Sequence, residues 1–289
     1  MTEVEAEMGF SHFPGIGPYR FQLLIEHFTS AAAAYTASNS ELRSVIGTRL
    51  SELFCRFRER FDYAAIQDRY VSRGIMAVPY SHSHYPCQLR EISDPPICLY
   101  IKGDSNILRK TVNKRIGVVG SRKPSPYGTY ISRTFTANLT HSSFTIVSGL
   151  AVGIDTTAHK TCLECGGTTI AVMGCPVDEV YPSENYELAK LIEQSGVLLS
   201  EFPPSTKLQK GMFVARNRLI CGLSAGIMVV EGRKHSGTLT TARYAVEQGR
   251  DVFVPPVPLN SPLSEAPLIL FRQGARMVTD PQEIVEEYQ

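Results

Sequence analysis

Six short apolar runs recur along the second part of this chain, each closed by turn residues and followed by further chain of helical period. They occupy residues 115–120, 145–147, 168–173, 197–199, 227–230 and 251–254, with 276–278 as a candidate seventh. Residues 127–140, 155–164, 184–194, 212–223 and 238–248 read as the intervening helices. A strand that is apolar throughout has no face left for water, so it belongs in a sheet covered on both sides. Helical crossovers between such strands make the pairing parallel. The pattern therefore predicts an α/β fold with a doubly wound, mostly parallel Rossmann-like sheet.

Upstream of residue 110 the chain changes character, becoming helix-like and rich in Arg, Ser and Phe. Pro79, Pro86, Pro95 and Pro96 punctuate the join, which reads as a linker packed on the α/β part. We expect a small N-terminal all-helical domain, helix-hairpin-helix or SAM-like, over residues 1–75, and the Rossmann-like domain over 76–289. Phe13-Pro14-Gly15-Ile16-Gly17-Pro18 precedes an apolar helix at 19–28 and has the form of such a hairpin. Its glycine amides can bind a phosphate, and the same residues serve equally well as a structural turn.

Composition limits the partners. In 289 residues, 29 Lys and Arg stand against 28 Asp and Glu, a net charge of +1, with 43% hydrophobic residues. This excludes a disordered chain and a uniformly basic coat, while leaving room for a local basic cleft. No apolar stretch reaches the roughly 18 residues of a membrane span. The N-terminus carries Glu3, Glu5 and Glu7 where a secretory signal would be basic and then apolar, so a cytoplasmic protein is expected. Seven cysteines fit a reducing compartment better than a disulfide framework. Cys162 and Cys165 have CxxC spacing, but no second pair or nearby His pair completes a zinc site, so neither a metal nor another cofactor is expected.

Ligands of doubly wound sheets bind beyond the carboxyl ends of the strands, so the turns after the strands carry the functional argument. They read Gly120-Ser121-Arg122-Lys123, then the run from Ser148-Gly149 to Gly153-Ile154-Asp155 with His159 and Lys160 a turn later, then Gly174 and Tyr181-Pro182. Ser200-Glu201 follows, leading to Arg216-Asn217-Arg218, and finally Glu231-Gly232-Arg233-Lys234-His235-Ser236-Gly237-Thr238. The turns place Arg122, Lys123, Lys160, Arg216, Arg218, Arg233 and Lys234 at one end of the sheet. Glycines there let backbone amides approach an anion, and helix N-termini favour negative charge. A polyanion is the expected ligand. Each piece also has a purely structural role open to it: Gly120 and Gly149 as tight turns, Asp155 and Ser236 as helix caps, Arg216 and Arg218 as internal partners of Glu201 and Glu231. The first turn lacks GxGxxG, no acid ends the second strand for a ribose, and neither a P-loop nor a GxSxG elbow occurs.

The combination resembles the DNA-processing protein A family (DprA, also called Smf). The resemblance rests on Tyr85-Pro86, Asp94-Pro95-Pro96, Leu99-Tyr100, Val118-Val119-Gly120-Ser121-Arg122 with Tyr127-Gly128, and Ser148-Gly149-Leu150-Ala151-Val152-Gly153-Ile154-Asp155 with His159. It continues through Gly166-Gly167-Thr168-Thr169-Ile170-Ala171-Val172, Tyr181-Pro182, Ser200-Glu201, Arg216-Asn217-Arg218-Leu219-Ile220 and Ser236-Gly237-Thr238. It implies a homodimer, without known enzymatic activity, that binds single-stranded DNA and helps load the RecA recombinase, notably in natural transformation. Carried onto this chain, Arg122, Lys160, Arg216, Arg218 and Lys234 would neutralise phosphates. Gly120, Ser121, Gly149, Gly153, Asn217, Ser236, Gly237 and Thr238 would supply close contacts. Pro255-Pro256-Val257-Pro258 and Ser264-Glu265-Ala266-Pro267 depart from the family's glycines there. The winged-helix-like module that many members add at the C-terminus is expected to be absent, since the sequence stops at Gln289. The alternative is a Rossmann-like nucleoside monophosphate hydrolase using Glu201 or Glu231 with Arg216. Its characteristic Pro-Gly-Gly turn is missing.

Overall fold

A computed structural model describes residues 1–109 and 114–289. Six helices come first: α1 (Glu3–His12), α2 (Pro18–Phe28), α3 (Ala31–Thr36), α4 (Asn39–Ile46), α5 (Thr48–Arg58) and α6 (Tyr63–Ser72). Local chemistry sets their starts. Thr2 and Ser38 form capping boxes with Glu5 and Glu41, and Pro18 opens α2 where its missing N–H costs nothing. Their apolar faces close on one core around Phe10, Phe21, Leu24, Leu42 and Phe54, with Phe10 and Phe54 stacked at 4.8 Å.

The sheet then begins with β1 (Met76–Pro79), the short helix α7 (Cys87–Arg90) and β2 (Cys98–Gly103). The alternating part follows: β3 (Arg115–Val119), α8 (Pro126–His141), β4 (Thr145–Ser148), α9 (Ile154–Glu164), β5 (Thr169–Val172), α10 (Tyr186–Ser195) and β6 (Val197–Ser200). After it come α11 (Lys210–Ala215), α12 (Asn217–Gly222), β7 (Gly226–Val229), α13 (Gly237–Glu247), β8 (Asp251–Val254), α14 (Glu265–Arg272), β9 (Arg276–Met277) and α15 (Gln282–Glu287). The spatial order is β1-β2-β6-β5-β4-β3-β7-β8-β9. The seven strands from β3 onward pair in parallel. The chain steps outward from β3 through β4 and β5 to β6, then returns to lay β7 on the other flank of β3. That reversal is a topological switch point, and the crevice it opens lies beyond the carboxyl ends of β3 and β7.

All seven anticipated strands are present. The segment read as a linker is instead structured: β1 and β2 form an antiparallel pair, and β2 adds to β6. The prolines that suggested a linker sit where the ladder tolerates them, Pro79 ending the edge strand and Pro95-Pro96 preceding β2. The helix anticipated over 212–223 is two helices, with Arg216 at the joint between α11 and α12. The helical unit also packs on the sheet. Met8 joins the core cluster beneath β2 and α10, and the Ser11 and Tyr100 hydroxyls lie 2.6 Å apart.

Candidate functional site

The switch point holds a cleft of about 1000 Å³. One wall is the turn after β3, with Gly120, Ser121, Arg122 and Lys123; the opposite wall is the turn after β7, from Gly232 to Thr238. Phe213, Val214, Arg216 and Asn217 close it on the side of α11 and α12, and Ser261 to Leu263 with Glu265 on the side of α14. Arg122, Lys123, Arg233 and Lys234 are exposed. Asp155 and Glu265 are the acidic residues of the lining.

Steric detail explains why small residues occupy these turns. A Cβ on Gly120 would come within 2.6 Å of Ile154 Cγ1, so the β3 turn rests directly on the start of α9. Gly153 has φ +91°, a region glycine occupies without strain, and a Cβ there would fall on the Ser121 carbonyl and 2.9 Å from Arg122 Cα. The Ile154 amide donates to that same carbonyl at 3.1 Å. Gly153 thus sits behind Ser121 and Arg122 and fixes their course. On the other wall, Ser236 occupies the N-cap of α13 and its hydroxyl is paired with that of Thr238. Leaving the first amides of a helix at a cleft wall suits an anion.

Arg216 is buried beneath the floor. Its Nη1 donates to the Gly149 carbonyl at 2.5 Å and to the Val172 carbonyl, and its Nε donates to Asn217 Oδ1 at 3.2 Å. Burial pushes its guanidinium down to about 10; the nearby Asp155 carboxylate opposes that shift and Arg122 adds a like charge to it. Asp155 is itself raised by burial, and its Oδ2 accepts from the Gly149 amide at 3.1 Å. Arg216 therefore ties β4, β5 and α12 together and lends positive potential to the cleft from below.

Arg218 does not line the cleft. It is 3% exposed and binds Glu201 through both Nη atoms, with Asp94 on its Nε. Glu231 is buried as well, accepting from the Ser125 amide at 2.9 Å and from the Ser125 hydroxyl at the start of α8. The internal partner anticipated for Arg218 is thus present, while Arg216 uses backbone carbonyls instead of an acid. Both carboxylates of the hydrolase alternative are committed to fold contacts, and neither lines the cleft.

The structure brings Gly120, Ser121, Arg122, Arg216, Asn217, Lys234, Ser236, Gly237 and Thr238 to this one cleft. Gly149 and Gly153 lie behind its walls. Lys160 lines a separate groove between α9 and α10 with Leu163, Leu188 and Leu191. The reason is helical rise: six residues past Ile154, at 1.5 Å each, α9 has carried Lys160 about 9 Å down the sheet face. His159 is wholly buried, hydrogen-bonded to Thr169 at 2.7 Å, and burial pushes it down to about 3. Phe213, Val214 and the Ser261–Glu265 wall escaped the sequence reading. Only the break at Arg216, just past Phe213 and Val214, could have marked the first two, and it carries no Gly or Pro. Cys162 lies on α9 and Cys165 just past its end, both as free thiols. Among the described residues no helix is long and apolar enough to cross a membrane.

A family model described as DNA recombination-mediator protein A matches residues 76–289. The DNA processing protein DprA of Bacillus subtilis is 42% identical over 218 residues, covering 75% of this chain and 73% of that protein. Protein Smf of Escherichia coli is 44% identical over 213 residues, covering 73% of this chain and 56% of its own length. The fold superposes on DNA processing protein A from Streptococcus pneumoniae with a TM-score of 0.84 at 31% identity, over 100% of this chain and 99% of that one. DNA processing protein A from Helicobacter pylori, solved to explain its single-stranded DNA binding mode, gives a TM-score of 0.67 at 29% identity, over 74% and 94% of the two chains.

Proposed function

This chain belongs to the DNA recombination-mediator protein A family, and from that premise we propose that it binds single-stranded DNA across the switch-point cleft. Bound there, the strand is protected and handed to the RecA recombinase, as natural transformation requires. The observation that carries the reading is the pairing of two cationic turns: Arg122 and Lys123 after β3 face Arg233 and Lys234 after β7 across one cleft. Arg216 adds charge from the floor, and the α13 N-terminus adds amides. Phosphate contacts of this kind position a strand without reading its bases, so sequence preference is low. The protein works by binding alone. Supporting that, Glu201 and Glu231 are held by Arg218 and Ser125. The protein acts as a homodimer, with two clefts on one strand raising avidity through effective concentration.

The test is a gel-shift series on single-stranded and duplex oligonucleotides of one length at one salt concentration. Tighter binding of the single strand is expected, and equal affinity for both forms would overturn the assignment. Sedimentation at micromolar protein checks the assembly, where a monomer with undiminished DNA binding would remove the dimer from the account.

A further inference from the structure

Tyr181 is 49% exposed and stands in the loop that leaves β5. Its ring centroid lies 5.1 Å from that of Phe213, the planes inclined by 51°. Phe213 lines the cleft; Tyr181 does not. Phe213 is fixed from behind, since a Cβ on Gly174 would approach its Cα to 2.9 Å, so the pair is braced against the end of β5. β5 is two strands from β3. At roughly 4.8 Å per strand, the end of β5, where Gly174 backs Phe213, lies about 10 Å across the sheet from the end of β3, and Tyr181 follows through its contact with Phe213. A nucleic-acid strand covers such a distance in about three nucleotides even at the 3.4 Å stacked spacing. A strand leaving the cationic cleft along the carboxyl edge of the sheet therefore meets Phe213 and then Tyr181.

We propose that Tyr181 is a base-stacking platform that extends the DNA site beyond the cleft toward β5, and that it contributes to preference for single strands. The inference rests on the reading of the cleft as a single-stranded DNA site. An unpaired base presents its π-face to an aromatic ring, whereas a base in a duplex is stacked on its neighbours and unavailable. Tyr181 thus adds affinity that depends on bases and hardly on salt, complementing the phosphate contacts at Arg122 and Lys234.

The experiment measures equilibrium binding of a 20-nucleotide oligothymidylate, an abasic oligonucleotide of the same length and the corresponding duplex, for the wild type and Tyr181→Ala, Tyr181→Leu, Tyr181→Phe and Tyr181→Trp. Tyr181→Ala and Tyr181→Leu should bind oligothymidylate about 5- to 20-fold more weakly, the lower part of the range for one base on one ring. Abasic and duplex binding and the salt slope should stay within about twofold of wild type, and Tyr181→Phe and Tyr181→Trp should retain affinity. Thermal melts identify any variant that unfolds; Tyr181→Leu keeps the packing bulk against Phe213 and serves if Tyr181→Ala does not fold. Unchanged oligothymidylate binding in both aliphatic variants overturns the proposal, as does an equal loss on the abasic strand, which would make Tyr181 a support of the phosphate contacts. In both cases wild-type binding to oligothymidylate leaves the cleft reading standing. A wild type that binds neither strand defeats that reading, and this proposal with it.

Discussion

Arg218 grips Glu201 with two parallel hydrogen bonds of 2.6 and 2.7 Å where α12 meets the end of β6, Arg218 buried and the Glu201 side chain only 10% exposed. The guanidinium is completed by Asp94, whose Oδ2 lies 2.7 Å from Nε, and by the Asp94 carbonyl at 3.0 Å from Nη2. The carboxylates hold Arg218 above the ordinary arginine range despite the opposing cost of its burial. A planar fork matches a carboxylate in this way and an ammonium does not. The pair clamps the loop before β2 to the helix that forms the cleft floor.

Removing one member of such a pair strands the other charge in the interior, at about 3–5 kcal/mol. Arg218→Ala should therefore lower the melting temperature sharply, and Arg218→Lys should recover only part of it. Variant protein that remains folded should bind single-stranded DNA within about twofold of wild type, because Arg218 does not line the cleft. Calorimetry and gel shift on one preparation check both halves; a stable Arg218→Ala with weak DNA binding contradicts the assignment.

Arg122 should behave in the opposite way. It is exposed on the turn after β3, so Arg122→Ala should leave the melting temperature nearly unchanged. Its DNA affinity should fall by about 1–3 kcal/mol, the scale of a charge-assisted hydrogen bond with its partner left unmet. Four neutralised phosphates at about 0.7 each give the wild type a log–log salt slope near −2.8, and Arg122→Ala should flatten it by about 0.7. Titrations at four salt concentrations measure both, and a flat wild-type response removes the electrostatic account.

Gly153 acts through shape alone. Alanine there would be strained at φ +91° and would push into Ser121 and Arg122. Gly153→Ala should therefore lose both stability, by about 1–3 kcal/mol, and DNA affinity. Gly211→Ala is the control, since nothing lies within 4 Å of a Cβ at that position and Gly211 does not line the cleft. Melting and binding of the two variants side by side decide it: equal behaviour would show that the β3 turn does not depend on Gly153.

Glu7 links the helical unit to the sheet and makes stability depend on pH. Its Oε2 accepts from the Ser81 amide at 3.0 Å and hydroxyl at 2.8 Å, yet burial pushes its carboxyl up to about 7, with Glu3 adding to the rise and Ser81 and Arg90 opposing it. The folded value lies above the unfolded one of about 4.3. Its contribution to stability is therefore complete below about pH 4.3 and is lost as pH rises through about 7. Glu7→Gln removes that slope. Urea unfolding at pH 5 and pH 8 should show the wild type losing more stability than the variant over the interval, by on the order of 2 kcal/mol. Parallel losses in the two proteins would place the dependence elsewhere.

The sequence by itself determined the parallel sheet, because the signal for a strand buried on both faces is local: an apolar run bounded by turns. It determined the cleft's two main walls for the same reason, since Gly120-Ser121-Arg122 and Ser236-Gly237-Thr238 are contiguous with the strands and helices they join. Tertiary structure alone decided everything that depends on which distant groups meet. Arg218 looked like Arg122 along the chain, but a fold that brings Asp94 and Glu201 to it makes it a clamp. Lys160 belongs to the helix that starts just after the β4 turn, but helical rise removed it to another groove. β1 and β2 were hidden by prolines that an edge strand and a strand entry accommodate. Phe213 reaches the cleft from α11, which ends at Arg216, whose guanidinium is held by the Gly149 and Val172 carbonyls at the ends of β4 and β5. Patterning fixes which faces are buried, whereas the partner of a buried charge is chosen only when the layers close.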